Sequence, residues 1–301
     1  MAMQDTVWFS RTKGINNVVE PTSLQYDPRS GVMDLSVGMN IDIDNAGAIS
    51  RRSGYRKVVE GNVHSLWSNG DDCFYVKEGN LCRLDTDFNS VVIRSGMSSG
   101  LKVSFCKPLD KVYYANGAEQ GYVLENTNHV WEMGQYIGPD SIWVRQSPPV
   151  GHILEYIAGY VLVASENVLY FSEPFAHSHF VLSKNQVSFE TRILMVQALE
   201  TGVYVGDEDS VYFLKGQDPS QWFREHVAMS PAFPNSNIVV DGYKIADGKE
   251  GHIALWSSFD GIFAGSEDGH VECLTKHRLK LKRATQGATY THEGKYVVTF
   301  R

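Results

Sequence analysis

Acidic and apolar residues alternate in Asp42-Ile43-Asp44-Asn45-Ala46-Gly47, the order of side-chain oxygens and glycine that opens a hand-type calcium loop. Ala46 stands where a third side-chain ligand is needed, and Ser53 occupies the closing position that requires a bidentate Glu. The stretch therefore reads as a hairpin turn. His177-Ser178-His179 sets two imidazoles on one face of a strand, a spacing that can chelate zinc, but no third ligand stands out among the other histidines. The acidic turns Gly206-Asp207-Glu208-Asp209-Ser210 and Ser266-Glu267-Asp268-Gly269 could bring paired carboxylates together for glycoside hydrolysis. Read as tight turns between second and third strands, they belong instead on a solvated rim. Cys73, Cys82, Cys106 and Cys273 lack CxxC spacing and sit in apolar stretches, so they are expected as buried free thiols rather than zinc ligands or disulfides. No GxSxG, P-loop or GxGxxG is present. The expectation is a chain with no catalytic residue, no metal and no cofactor.

Two basic stretches remain. Arg51-Arg52 with Arg56-Lys57 lies near the start, and RLKLKR spans Arg278 to Arg283. On a strand, Arg278, Lys280 and Lys282 would share one wet face, a device that discourages edge pairing or meets an acidic neighbour. Lys plus Arg number 27 against 35 Asp plus Glu, a formal charge of −8. That sign disfavours tight binding to nucleic acid but allows a wall past which DNA slides.

The elements that must carry these residues are strands. Apolar runs are short, rich in Val, Ile, Tyr and Phe, and bounded by Gly, Asn, Asp and Ser, with no sustained helical period. Five similar units follow one another, with anchors at Leu66, Phe105, Leu154, Val196 and Leu255; two of them share the string LWS, after His64 and after His252. The anchors are spaced from 39 to 59 residues, near the ~40 to 50 of four-stranded propeller blades with the largest gap holding an insertion, whereas a β-sandwich does not explain five units in a row. Gly287 to Arg301 supplies only two strands of a sixth unit. The segment Asn40 to Val58, a hairpin with Asp44, Asn45 and Gly47 in its turn and Arg51 and Arg52 on its return, could complete it. The predicted fold is all-β, a six-bladed β-propeller over residues 37–301 whose last blade is closed by the N-terminal hairpin pairing with Lys295 to Phe300.

Residues 1–36 read as an extended arm, with Trp8 and Phe9 as partner contacts, and residues 228–250 as a loop insertion that exposes Phe233. The start, MAMQDTVWFSRTKG, lacks an apolar leader core, and no run approaches the ~20 apolar residues that cross a bilayer. A chain made in the cytoplasm and remaining soluble is expected.

GINNVV (Gly14 to Val19), MNIDIDNAGAISRRSGYRKV (Met39 to Val58), PPVGHILEYIAGYVLVASENVLYFSEP (Pro148 to Pro174) and GVYVGDEDSVYFLKGQDPSQW (Gly202 to Trp222) resemble the pattern of bacteriophage and prophage virion propellers, which include tail hub and nozzle-like components. The resemblance spans about Gly14 to Gly265 and rests on turns and strands rather than on active-site residues. It implies a non-enzymatic part of a phage tail, forming a homo-oligomeric ring with other tail or connector proteins around or beside the DNA path. Such a part would assemble in the host bacterial cytoplasm and reside in the virion. A second reading is a carbohydrate-binding or glycan-cleaving propeller at the tail tip, in which Trp67, Trp131, Trp143, Trp222 and Trp256 stack on sugars; a host scaffold propeller is a third.

Overall fold

A computed structural model describes residues 11–24, 26–27, 29, 31–136, 142–244, 250–292 and 294–301. Trp8 and Phe9 lie outside the described residues. The described chain is all-β, its helical content limited to the 3-10 turns Pro21–Ser23, Pro219–Gln221 and Gly242–Lys244. Among the described residues no helix is long and apolar enough to cross a membrane.

Five antiparallel sheets succeed one another along the chain, each an in-order meander. The first runs Val63–Ser68, Cys73–Lys77, Asn80–Leu84 and Ser90–Arg94; the second runs Ser104–Cys106, Val112–Ala115, Gln120–Leu124 and Thr127–His129. The third comprises Ile153–Ile157, Tyr160–Ser165, Val168–Glu173 and Ala176–Phe180, with Gln186–Ser188 also paired to its third strand. The fourth is Met195–Leu199, Gly202–Gly206, Val211–Lys215 and Phe223–Ala228, and the fifth Ile238–Asp241, His252–Ser258, Gly261–Gly265 and Val271–Cys273. The leading strands begin at Val63, Ser104, Ile153, Met195 and Ile238, roughly 40 to 50 residues apart, the interval of a four-stranded blade.

The core lies between sheets rather than beneath one of them. Successive side chains of a strand point to opposite faces, and here both faces are covered. In the third sheet, Val161 and Val163 pack with Tyr113 and Ala115 of the second, while Leu162 and Ala164 pack with Val203 and Val205 of the fourth. Tyr204 turns the other way, onto Ala254 and Trp256 of the fifth. This double coverage explains why the second strands are continuous apolar runs instead of alternating ones. The first sheet is covered less fully: Phe74, Val76 and Leu81 face the second sheet and Tyr75 and Cys82 on the other face are also buried, but Leu66 on its leading strand remains 70% exposed.

Several expectations are corrected. Residues 228–250 are not a loop insertion, because Ile238–Asp241 is the leading strand of the fifth sheet. The LWS strings misled: Leu66 lies on a first strand, Leu255 on a second. Phe233 is only 2% exposed, its amide bonded to the Ser257 carbonyl at 2.8 Å and its ring edge-on to Phe300. Residues 274–286 form no strand, so Arg278, Lys280 and Lys282 do not alternate across one.

The hairpin Ile41–Ile43 and Ile49–Arg51 forms as expected. Asp44 accepts the Ala48 amide at 2.8 Å and Gly47 adopts φ +81°, the left-handed backbone that glycine tolerates without a Cβ clash. Asn45 and Arg51 stay exposed and Arg52 approaches Asp42 at 3.4 Å. The expected pairing with Lys295–Phe300 is absent: that strand pairs with Gly287–His292, and the contact with the hairpin is the 3.8 Å ion pair of Lys295 and Asp42. Three-residue strands offer little ladder, and the turn is held elsewhere, by the Thr12 amide on the Gly47 carbonyl at 2.8 Å.

That contact comes from the expected arm, which within the described residues is a small sheet. Arg11–Ile15 runs parallel to Val32–Leu35, with Tyr26–Asp27 antiparallel to the latter. It clasps the chain's own C-terminal part: Asn17 bonds both the amide and the carbonyl of Lys280 at 2.7 Å, and Arg278 donates to Asp34 and to the Lys13 carbonyl at 2.9 Å. Burial works against the Asp34 carboxylate, yet bonds from Asn16 and Arg278 hold its pKa below the usual value.

Candidate functional site: the polar seam of the leading strands

Each junction between neighbouring leading strands is bridged by a polar side chain on, or next to, the strand itself. Ser65 accepts the Val103 amide at 2.9 Å, and Ser104 accepts the Leu154 amide at 2.9 Å. Glu155 accepts from Gln197 at 3.2 Å, and Gln197 in turn accepts from Asn237 at 2.9 Å. Beyond the fifth leading strand the Tyr296 hydroxyl of the C-terminal hairpin donates to the Ser236 carbonyl at 2.5 Å, and Ser236 accepts the Ser257 amide of its own sheet at 3.1 Å. The seam thus runs from the first sheet to the C-terminal hairpin.

Glu155 is the carboxyl among these bridges. Enclosure between leading strands raises its pKa to about 7, against the opposing effect of amide bonds from Tyr156 and Ala198. The neighbouring Cys106 thiol is pushed well up, first by its own burial and then by Glu155. Cys106 is therefore an unreactive core group. Beside the seam, among the third, fourth and fifth sheets, opens a cleft of about 340 Å³, bordered by Tyr156, Leu199, Glu200, Val239 and His252. The His252 ring there faces Asp241 at 3.6 Å and Glu200 and Glu267 at 3.8 Å.

A second cleft, of about 360 Å³, lies between the first two sheets. Asp72 pairs there with Arg83 at 2.8 Å and Lys107 at 2.6 Å, and Arg83 also donates to the Glu125 carbonyl. Asp72, Arg83 and Lys107 thereby tie the two sheets together.

The residues singled out for chemistry are used structurally. His177 and His179 are both buried but part company: His179 bonds the Gly134 carbonyl at 3.0 Å, and His177 lies edge-on to Tyr113 and Tyr156. Among the described residues no group of three His, Cys, Asp or Glu could hold a metal. Asp207 is fully buried and accepts the amides of Asp209 and Ser210. The Ser266 hydroxyl, then the His270 amide, keep the Asp268 carboxylate below its usual pKa, in a turn between third and fourth strands rather than second and third. Trp131 and Trp256 are core residues, Trp67 stacks on Phe105, Trp222 donates to the Gly216 carbonyl, and Trp143 alone of the five is well exposed. Cys73 and Cys273 are only half-buried, whereas Cys82 and Cys106 are buried.

The seam was not found from sequence. Its members are ordinary Ser, Glu, Gln and Asn residues whose partners lie some forty positions away, and the signal that marks them, a polar residue inside each leading strand, emerges only once the leading strands are correctly assigned.

No family model matches this chain, and no curated protein matches it. Among solved structures it is similar to the extracellular domain of the putative hybrid two component system BT4673 from B. thetaiotaomicron, with TM-score 0.48 and 9% identity over 90% of this chain and 33% of that one. It is also similar to Kluyveromyces lactis Hsv2, with TM-score 0.45 and 10% identity over 84% and 81% of the two chains. The WD40 domain of Neurospora crassa Pan2 gives TM-score 0.44 and 11% identity over 70% and 64%. The chain spans about a third of the BT4673 structures it matches and 64% of the Pan2 domain. Likenesses this distant bear on neither partners nor activity, and the sheet order above stands on the strand pairing itself.

Proposed function

We propose that the chain is a structural, non-enzymatic part of a bacteriophage tail, a hub, nozzle or connector-type propeller that assembles with itself and with neighbouring tail proteins around or beside the DNA path. The observation that carries this reading is the placement of large apolar side chains on connections outside the sheets: Ile142 is 92% exposed, Met229 85% and Phe175 72%. Exposed apolar groups at the ends of a rigid scaffold are what subunit contacts cover, while the charged and polar groups that could do chemistry are bonded within the fold. In this reading the C-terminal hairpin and the hairpin Ile41–Arg51, side by side at Lys295 and Asp42, make up the sixth blade. The protein assembles in the host bacterial cytoplasm and resides in the virion. A glycan-binding tail-tip role has weaker support, since of its five proposed platforms Trp143 is the one left well exposed.

Mass spectrometry of purified virions from the source phage or induced prophage tests the proposal. The chain is expected among the tail proteins, cross-linked to a neighbour; absence from intact particles would refute it.

A further inference from the structure

The sequence holds two Asn-Gly pairs, Asn69-Gly70 and Asn116-Gly117. Glycine has no Cβ to shield its backbone nitrogen, so in this pair that nitrogen most readily reaches the preceding side-chain amide. The two asparagines sit in turns of the same design. Asn69, between the first and second strands of the first sheet, accepts the amides of Asp71 at 3.1 Å and Asp72 at 2.8 Å. Asn116, between the second and third strands of the second sheet, accepts those of Ala118 at 2.9 Å and Glu119 at 2.7 Å. Each turn thus aims two N–H groups at the oxygen that gains charge when the amide carbon is attacked.

The nucleophile and the leaving group are what differ. At the second site the Gly117 amide is held by the Gly151 carbonyl at 2.8 Å, the Asn116 Nδ2 donates to Glu119 at 2.5 Å, and Asn116 is 4% exposed. At the first, Asn69 and Gly70 are both exposed, the Gly70 amide makes a long 3.3 Å bond to the exposed Ser68 hydroxyl, and nothing lies within 4 Å of where a Gly70 Cβ would stand.

We propose that Asn69 is a site of spontaneous deamidation, while Asn116, in the same kind of turn, is protected by the fold. The Gly70 nitrogen gives its proton to water and bonds the Asn69 Cγ; the Cγ–Nδ2 bond breaks, ammonia leaves with that proton, and a succinimide ring closes. Water then opens the ring, at Cγ to give aspartate or at the main-chain carbonyl carbon to give isoaspartate. Overall, water is consumed and ammonia released, and nothing is oxidised or reduced. Isoaspartate routes the main chain through Cβ and so lengthens the turn. That turn carries Asp72, which pairs with Arg83 of its own sheet at 2.8 Å and with Lys107 of the second at 2.6 Å, and whose carbonyl takes the Asn69 amide at 3.2 Å. The product therefore loosens the junction of the first and second sheets.

The purified full chain, aged in mildly alkaline buffer, digested and mapped by mass spectrometry, tests this. Asn69 should convert at least about tenfold faster than Asn116, which must first give up its bonds to Gly151 and Glu119. Enzymatic carboxyl methylation from a labelled methyl donor should detect the isoaspartate. In urea the two sites should convert at similar rates, because the fold is what separates them. An unaltered Asn69 in a folded chain whose unfolded form does convert, or equal rates at both sites in the folded chain, would overturn the proposal. N69S has no amide to lose; aged alongside, it should keep its melting temperature while that of the aged parent falls. An unchanged melting temperature in a parent that carries isoaspartate at position 69 would refute the loosening of the junction.

Discussion

Replacing Glu155 by Gln removes the carboxyl bridge of the seam, the one that titrates near neutral pH. An ordinary Glu has a reference value of 4.5, and Glu155 in the folded chain stands at about 7. Below the unfolded value both states hold the proton and nothing is lost. As pH rises toward 7 the unfolded chain releases its proton while the folded chain retains it, so stability declines and levels off above the folded value. A separation of about 2.5 units at about 1.4 kcal/mol each corresponds to roughly 3 kcal/mol lost between pH 4.5 and 8. His64, His152 and His177 titrate with the opposite sign, since burial lowers all three: what they contribute is present above the unfolded His value and lost as pH falls. The parent's profile alone therefore mixes the two effects, and the decisive quantity is the difference between parent and E155Q. The amide can still accept from Gln197 but loses one acceptor toward the backbone, a cost of about 1 to 3 kcal/mol that does not vary with pH. Urea unfolding at pH 5, 6, 7 and 8 should show the variant weaker at pH 5 and level with or above the parent at pH 8. A difference that stays constant over that range would refute the assignment of Glu155 as an enclosed carboxyl.

Leu162 is fully buried between the third and fourth sheets, and L162A should cost about 2 to 5 kcal/mol by urea unfolding; a loss under 1 kcal/mol would mean that those sheets are not packed face to face. At Gly47, a Cβ would collide with the Thr12 carbonyl oxygen in addition to the unfavourable φ, so G47A should cost more than the ~1 kcal/mol of the backbone alone, read as lost stability in urea unfolding. N17A removes both bonds to Lys280; limited proteolysis should then cut within residues 11–35 sooner, with cleavage of the third and fourth sheets unchanged.

Strand content was legible because Val, Ile, Tyr and Phe runs bounded by Gly and Asp leave few alternatives, and four of the five anchors fall on leading strands. The fifth failed for a physical reason. His252–Ser258 is covered on both faces, by Tyr204 and by Tyr296 with its neighbours, and a doubly covered second strand reads like the opening of a unit when Ile238–Asp241 before it is short and preceded by Pro231 and Pro234. Phe233 was placed on the surface by the same slip. The basic run from Arg278 was misread because its alternation matches a strand, whereas Asn17 and Asp34, more than 240 positions earlier, hold it as an irregular segment.

The doubly covered strands raise a question of register that the seam answers. Sliding a strand by one residue normally exposes its apolar set to water, and that penalty fixes the pairing. Here the penalty is small: a one-residue slip of Tyr160–Ser165 would send Leu162 and Ala164 toward the second sheet and Val161 and Val163 toward the fourth, apolar in both cases. Shape would oppose it, together with the Ser172 hydroxyl that accepts the Val161 amide at 3.0 Å. A bridge such as Ser104 to the Leu154 amide, or Glu155 to Gln197 to Asn237, is different, because it has a partner at one offset alone. Sliding either strand buries an unpaired carboxylate or amide, which costs about 1 to 3 kcal/mol or more. The seam therefore specifies which residue of each leading strand meets which residue of the next, and the apolar faces supply the adhesion that the seam aligns.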